Sequence, residues 1–351
     1  MRFGVILAGG GGTRLWPASR RRRPKQYLSL GSTTDTLLGA TARRFPEGVP
    51  LVVVTAADQA GEAERAIPGL AETIVEPSGR NTAAAIGLAA VHLQARDPDA
   101  ILGVVPADHH IADAAGFRRA ADRAFALAES QDAIVTLGIR PTHAETGFGY
   151  LEPGESLGDG ARRCRRFVEK PDRARAEEYV AAGYLWNAGM FFLSARRALA
   201  EIARHLPGTA AGLTRIAEAL RRGPAEAART AAEVYPGFEN VSIDHGVMEK
   251  AEGIILVEGD FGWNDIGSWS AVAEIGTPDA AGNVARGESV LVDATGNVVV
   301  SDGETLVALV GVHDLVVVQA GDAVLVMPKA RAQDVREVVK ELERRGLQKR
   351  L

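Results

Sequence analysis

"GVILAGGGGTRLWPASRRRRPKQ", residues 4–26, is the stretch from which the fold can be read. An apolar run ends in four glycines, Gly9–Gly12, and six cations follow between Arg14 and Lys25. A strand that runs into bare backbone presents N–H groups that reach an anion unhindered by side chains. The plainer alternative is a tight turn with a solvated basic face. Such a turn needs one or two glycines, and each further one costs folding entropy, so an anion-binding loop is the better reading. Arg14 and Lys25 are the cations it would deliver. Four consecutive residues cannot all point into one site, so Arg20–Arg23 are expected mostly on solvated surface.

Two better-known glycine loops fail on spacing. A dinucleotide fingerprint, G-x-G-x-x-G, would need glycine where Arg14 or Leu15 stands. A Walker loop ends in G-K-[ST], a tripeptide this chain lacks.

Beyond the loop, apolar runs at 3–8, 50–56, 72–77, 100–108 and 132–139 alternate with helix-like stretches at 36–45, 58–66, 81–95 and 116–129. Nearly continuous Val, Ile and Leu suit strands covered on both faces, and the alternation predicts a doubly wound α/β sheet. Ligands of such sheets bind beyond the carboxyl ends of the strands. The glycine loop, "EPSGRN" (76–81) and "PADHH" (106–110) all fall there. Asn81 is placed to cap the third helix. From about residue 146 the pattern turns to antiparallel strands, then to a helical stretch at 195–233. After residue 280, short β-runs between Gly, Asp and Asn turns predict a small β domain, readable as a few turns of a solenoid, closed by an amphipathic helix at 331–345.

The 351 residues fit about two domains, taken as 1–275 and 283–351. A net charge of −5 argues against nucleic-acid binding, which leaves the basic run as a local feature. The single cysteine, Cys164, excludes an internal disulfide and fits a reducing cytoplasm. Its arginine neighbours favour a lowered thiol pKa, yet it has no relay partner and reads as a bystander. No run approaches the roughly 20 apolar residues of a membrane span. The first apolar run reads as a buried strand rather than a signal peptide, and no membrane contact is expected.

"LAGGGGTRLWPASRRRRPKQ" (7–26) resembles the signature of the sugar-nucleotide pyrophosphorylases, G-G-x-G-T-R-L-x-P followed by P-K. Trp16-Pro17-x-Ser19-Arg20 and Pro24-Lys25-Gln26 match the mannose-1-phosphate guanylyltransferase branch of that family. The likeness continues in family order through "EPSGRNTA", "PADH", "FVEKP", "WNAGMF", "SIDHGVMEKA" and "GWNDIGSW", and covers most of 3–340. It implies a GT-A-like nucleotidyltransferase domain with a mixed sheet and a small C-terminal β-helix-like domain. The implied reaction joins GTP to mannose 1-phosphate by in-line attack on the α-phosphorus, giving GDP-mannose and diphosphate with Mg2+ as cofactor. Another sugar 1-phosphate such as a heptose, another nucleotide such as dTTP, and a non-catalytic nucleotide-sugar-binding protein are the alternatives. A glycosyltransferase on the same fold would usually carry an Asp-x-Asp motif, where this chain has "PADHH".

By the same resemblance the nucleotide is held by Leu7, Ala8, Gly9, Gly10, Gly12 and Thr13, by Arg14 and Lys25, and by Glu76, Pro77, Arg80, Asn81 and Asp108. Arg14, Lys25, Asp108 and Lys170 carry the catalytic charge chemistry. Asp108 and Asp265 share the metal. Gly149, Glu169, Lys170, Asn187 and Asp265 face the sugar phosphate, with Phe148 where the family commonly has Tyr.

Each assignment has a plainer rival. A carboxylate at a strand's carboxyl end, as at Asp108, suits Mg2+ against phosphate oxygens, but also a turn or helix cap. Asp265 could serve a turn with Asn264 and Gly267. Adjacent Glu169 and Lys170 would point to opposite faces of a regular strand, unless Pro171 marks its end. The Asn187 amide can both donate to and accept from a sugar hydroxyl, or simply form a turn before Gly189. His109 and His110, being adjacent, read as turn or supporting residues, Trp263 and Trp269 as packing. His245 has no Ser or Asp relay. The apolar strands after 283 need covering, by the transferase domain and, in a homodimer, by a second copy.

Overall fold

The computed structural model describes residues 1–10, 12–30, 35–303 and 305–351. Gly11, one of the four loop glycines, lies outside them. The chain divides into two compact units. Unit 1 comprises Met1–Gly9, Ala42–Pro106 and Asp113–Phe261, and unit 2 comprises Gly10–Thr41, Ala107–Ala112 and Gly262–Leu351.

Unit 1 is built on a nine-stranded mixed sheet. Its strands are β1 (Arg2–Leu7), β2 (Leu51–Ala56), β3 (Glu72–Glu76), β4 (Ile101–Pro106) and β5 (Val135–Ile139). Then follow β6 (Gly149–Gly158), β7 (Ala161–Glu169), β8 (Leu185–Ser194) and β9 (Ile255–Gly259). The order across the sheet is β3-β2-β1-β4-β8-β5-β9-β7-β6, and β6 also pairs with β8. β1 runs parallel to both β2 and β4, whereas β8 enters antiparallel between β4 and β5. The parallel half is the part announced by the unbroken apolar runs. Phe3, Val5, Val52, Val54, Leu102 and Val104 are buried together with the alanine-rich helix Asn81–Arg96.

The helix expected at 116–129 spans Ala114–Gln131, because Asp113 caps it by accepting from the N–H groups of Ala115 and Gly116. Asn81 departs from its expected capping role. It is the first helical residue, with φ at +64°, and its side chain accepts from the neighbouring Thr82 N–H. Asparagine tolerates this left-handed backbone, which turns the amide away from the next helical turn. The stretch at 195–233 resolves into three helices, Ala195–His205, Pro207–Arg222 and Pro224–Val234, the last two opened by proline at the first position.

Unit 2 contains the β-helical part. Strands Val284–Arg286, Val298–Ser301 and Leu315–Ala320 stack in parallel, and Ala323–Pro328 closes the sheet antiparallel. A second parallel pair joins Ser289–Val292 to Val307–Val310. Two buried asparagines link successive coils. Asn283 Oδ1 accepts from the Asn297 backbone and side-chain N–H groups, and Asn297 Oδ1 accepts from the Leu315 N–H. The apolar interior, with Val298, Val316 and Val318, is continuous with Leu15, Trp16, Leu28, Ile266 and Trp269. The last helix spans Val335–Arg344. Among the described residues no helix is long and apolar enough to cross a membrane.

Candidate active site

Unit 2 gathers the cationic part of the loop. Gly12 has φ at +55° and opens a single turn, Thr13–Leu15. A Cβ on Gly12 would stand 2.5 Å from Lys25 Cβ and 2.9 Å from Lys25 N, so the position requires glycine twice over. The Ser19 hydroxyl donates to the Gly12 carbonyl at 2.6 Å. Lys25 begins the turn Lys25–Tyr27 and is buried. Its Nζ donates to Asp108 Oδ2 at 2.9 Å and to the carbonyl oxygen of Asp265. Burial alone would raise the Asp108 pKa, but Lys25, His109 and Arg14 together hold it below the ordinary aspartate range. Gly10 and Arg14 are exposed, and Thr13 is half-buried.

Asp265 Oδ1 accepts from the Gly267 N–H at 2.9 Å, so its carboxylate also shapes the turn the plainer reading predicted. The indole N–H of Trp263 donates to His109 Nδ1 at 3.1 Å. Among the described residues no cluster of three or more His, Cys, Asp or Glu side chains has metal-binding spacing. Lys25 Nζ meets the Asp108 carboxylate and the main-chain carbonyl of Asp265, the two aspartates that the resemblance assigns to a metal. Two carboxylates suit a hard ion that keeps most of its water, the habit of Mg2+.

Unit 1 holds the rest of the residues that the resemblance assigns to the nucleotide. Leu7 ends β1 opposite Val54 and Pro106. The Ala8 N–H donates to the Val54 carbonyl at 2.8 Å, and the Thr55 hydroxyl donates to the Ala8 carbonyl at 3.0 Å. A Cβ on Gly9 would lie 3.0 Å from Glu76 Oε2. Glu76 is buried, and Tyr235 donates its hydroxyl to Oε1 at 2.6 Å. Burial pushes the Glu76 pKa up against the lowering effect of that hydroxyl. Pro77 and Asn81 are exposed and Arg80 half-buried. Ser78 Oγ and Arg80 Nε are buried without hydrogen-bond partners.

Gly149, Glu169, Lys170 and Asn187, which the resemblance assigns to the sugar phosphate, also lie in unit 1. Glu169 and Lys170 do not point apart. Lys170 turns at φ +47°, its N–H donates to the Phe148 carbonyl at 3.2 Å, and its Nζ reaches Glu169 Oε1. Glu169 Oε2 is buried and has no partner. Gly149 lies against it, since a Cβ there would be 2.5 Å from Glu169 Oε2 and 3.3 Å from Asn187 Cβ. Asn187 is more constrained than a free amide. Its Oδ1 accepts from the Thr136 hydroxyl and the Gly189 N–H, both at 3.1 Å, and its Nδ2 donates to Asp244 Oδ1 at 2.9 Å. Only one N–H is left to donate outward. Asp265 lies in unit 2, where its main-chain carbonyl accepts from Lys25 Nζ.

Asp244 and Tyr235 belong to these clusters, though sequence reasoning singled out neither. Asp244 opens the π-helical turn Asp244–Met248 within "SIDHGVMEKA". Burial and the nearby Glu169 carboxylate push its pKa up to about 6, against Asn187 and Lys170. Cys164 departs from the thiolate its arginine neighbours favoured. Burial pushes its thiol up to about 11, and Sγ donates to the Arg166 carbonyl at 3.3 Å. Arg163, Arg165 and Arg166 are exposed, so their charges are spent on water rather than on the sulfur.

Two family models cover the chain. "Nucleotidyl transferase" matches residues 3–281, and "MannoseP isomerase/GMP-like beta-helix domain" matches residues 287–342. The chain is 40% identical over 358 residues to the mannose-1-phosphate guanylyltransferase of Escherichia coli strain K12, an alignment taking in 98% of this chain and 74% of that protein. It is 39% identical over 348 residues to the xanthan biosynthesis protein XanB of Xanthomonas campestris pv. campestris, covering 97% and 73%. A solved structure from Thermus thermophilus, described as a mannose-1-phosphate geranyltransferase, superposes with a TM-score of 0.88 at 39% identity, over 97% of this chain and 99% of that one.

Proposed function

The chain belongs to the nucleotidyl transferase family, and from that premise we propose that it is a mannose-1-phosphate guanylyltransferase. It joins GTP to α-D-mannose 1-phosphate and releases diphosphate, leaving GDP-mannose. The observation that carries this reading is Lys25, buried, packed against Gly12 and bonded to Asp108. A buried ammonium at the root of a glycine loop is poised to trade carboxylate for phosphate oxygens.

Both reactants are anions and repel each other until charge is neutralised. Lys25 and Arg14 stabilise the triphosphate and the leaving diphosphate, and the backbone N–H groups of Gly10, Gly12 and Thr13 line the same anion. Leu7, Ala8, Gly9, Glu76, Pro77, Arg80 and Asn81 hold the nucleoside. Lys170 steadies the sugar phosphate. Glu169 Oε2 accepts from a sugar hydroxyl while Asn187 donates to one, and Gly149 leaves them room. Asp108 and Asp265 would hold Mg2+, and the bound ion would screen the phosphates and polarise the reacting centre. Attack is direct, since no Ser, Cys or His nucleophile with a base stands among these residues.

The transferase part, 1–275, and the β-helical part, 283–351, are supported by their separate family models. Exposed Val310, Val324 and Val326 support a homodimer through the β-helical part. A single cysteine and nucleotide substrates support a cytoplasmic place of work. The test is diphosphate release from GTP with and without mannose 1-phosphate, run against the four NTPs and several sugar 1-phosphates. Release that requires both GTP and mannose 1-phosphate upholds the reading. Binding of GDP-mannose without turnover, or preference for another pair, overturns it.

A further inference from the structure

Arg21, Arg22 and Arg23 of the basic run are exposed, as expected for most of it, and within unit 2 Arg21 and Arg23 also meet acidic partners from the last helix and the β-helical part. Arg23 meets Asp302 at 3.3 Å and Arg21 meets Glu343 at 2.9 Å, both through exposed side chains. Arg20 is different. Its side chain is only 20% exposed and makes three separate contacts. Nε donates to the Pro17 carbonyl at 3.0 Å, Nη2 donates to the Ala320 carbonyl at 3.0 Å, and Nη1 meets Asp322 Oδ1 at 2.7 Å. Asp322 is also paired with Arg350.

The backbone of Arg20 closes a small hairpin. The Arg20 N–H donates to the Arg23 carbonyl and the Arg23 N–H returns to the Arg20 carbonyl, both at 2.9 Å. Lys25 follows two residues after this closure. On the other side, the Ser19 hydroxyl holds the Gly12 carbonyl. Arg20 therefore fixes the one segment that carries both the loop glycine and the loop lysine, and it fixes them to the turn Ala320–Asp322.

We propose that Arg20 is a positioning residue: its guanidinium pins the Arg20–Arg23 hairpin to the Ala320–Asp322 turn and so sets the place of Lys25. The role rests on the function proposed above, because Lys25 is read there as the phosphate-binding cation. Only a planar fork reaches the Pro17 carbonyl, the Ala320 carbonyl and Asp322 at once. A lysine keeps the charge and loses that geometry. The exposed pairs of Arg21 and Arg23 contribute little by comparison.

The test uses the full chain with Arg20→Ala, Arg20→Lys, Asp322→Asn and, for comparison, Arg23→Ala. Two readouts are followed: steady-state GDP-mannose synthesis, and tryptic cleavage after Arg21 and Arg22 mapped by mass spectrometry. Arg20→Ala and Arg20→Lys are expected to lower kcat by about ten- to a hundredfold, as small misplacements of catalytic groups do. KM for mannose 1-phosphate stays within about twofold. Millimolar guanidinium restores kcat of Arg20→Ala severalfold, which a merely unstable protein would not show. Cleavage at Arg21 and Arg22 quickens in both Arg20 variants and, less so, in Asp322→Asn, and Arg23→Ala matches the parent in rate. If Arg20→Ala does not fold, Arg20→Lys and Asp322→Asn decide the matter. Wild-type kcat and wild-type cleavage in Arg20→Lys and Asp322→Asn overturn the proposal. A parent chain that makes no GDP-mannose overturns the functional reading instead, and the cleavage pattern then judges the clamp by itself.

Discussion

Lys25 Nζ donates to Asp108 Oδ2 across 2.9 Å, with the lysine side chain 6% exposed and the aspartate 34%. The ammonium keeps the carboxylate ionised in the absence of phosphate. Lys25→Ala is expected to lower turnover at least about a hundredfold, the size of effect seen when one stabilising group is lost from such a site. Circular dichroism should report a folded protein. Near-parental turnover in Lys25→Ala would remove the basis of the mechanism. Asp108 also makes stability depend on acid. Its pKa is lowered on folding from an ordinary 3.8, so its contribution is present above that value and is lost as pH falls through the lowered one. Acid unfolding of Asp108→Asn should accordingly depend less steeply on pH below about 4.

Gly12→Ala tests the close approach beneath the loop. The added methyl meets Lys25 Cβ at 2.5 Å on a backbone at φ +55°. A loss of about 1–3 kcal/mol in stability is expected from the strain, measured by denaturant titration. Turnover should fall in parallel, because the methyl displaces the lysine itself.

Gly149→Ala separates the two substrates. Its methyl would sit 2.5 Å from Glu169 Oε2 and push the carboxylate aside. KM for mannose 1-phosphate should rise about tenfold or more, as when a buried hydrogen-bonding group loses its alignment. KM for GTP should stay unchanged in the same assay. Equal changes in both would show that Gly149 serves only the fold.

Asp244→Asn has a signed pH effect. The Asp244 pKa is raised from 3.8 to about 6, so ionising it costs folding free energy as pH rises through 6. Asparagine removes that cost. The variant should gain at most about 3 kcal/mol relative to its parent between pH 4 and pH 8. Thermal melts at both pH values read the difference, and an equal offset at each would contradict it.

Cys164 should be a poor nucleophile. With its thiol at about 11, alkylation by iodoacetamide at pH 7.5 should run far more slowly than for a free thiol. Activity should survive the modification that does occur. Fast labelling with loss of turnover would contradict both its inertness and its distance from the chemistry.

The parallel half of the sheet was legible because Val52–Val54 and Leu102–Val105 are apolar without interruption, which only doubly covered strands tolerate. Lys25, Asp108 and Glu169 were legible because each sits in a short motif at an element's end. Asp244 and Tyr235 were not. Their bonds to Asn187 and Glu76 span 57 and 159 residues, and no local periodicity encodes such a meeting. Arg21, Arg22 and Arg23 are exposed, as local composition suggested, whereas the contacts of Arg20 were illegible for the same reason as those of Asp244. Its partners, Ala320 and Asp322, are some 300 residues away. Asn81 misled differently, since its residue type fits a cap and a left-handed helix start equally well.

The Trp16 indole donates its N–H to the Arg350 carbonyl at 2.8 Å, across 334 residues. Arg350 is made 334 residues after Trp16, so the turn that follows the glycine loop gains this anchor only once the chain through Arg350 has been synthesised.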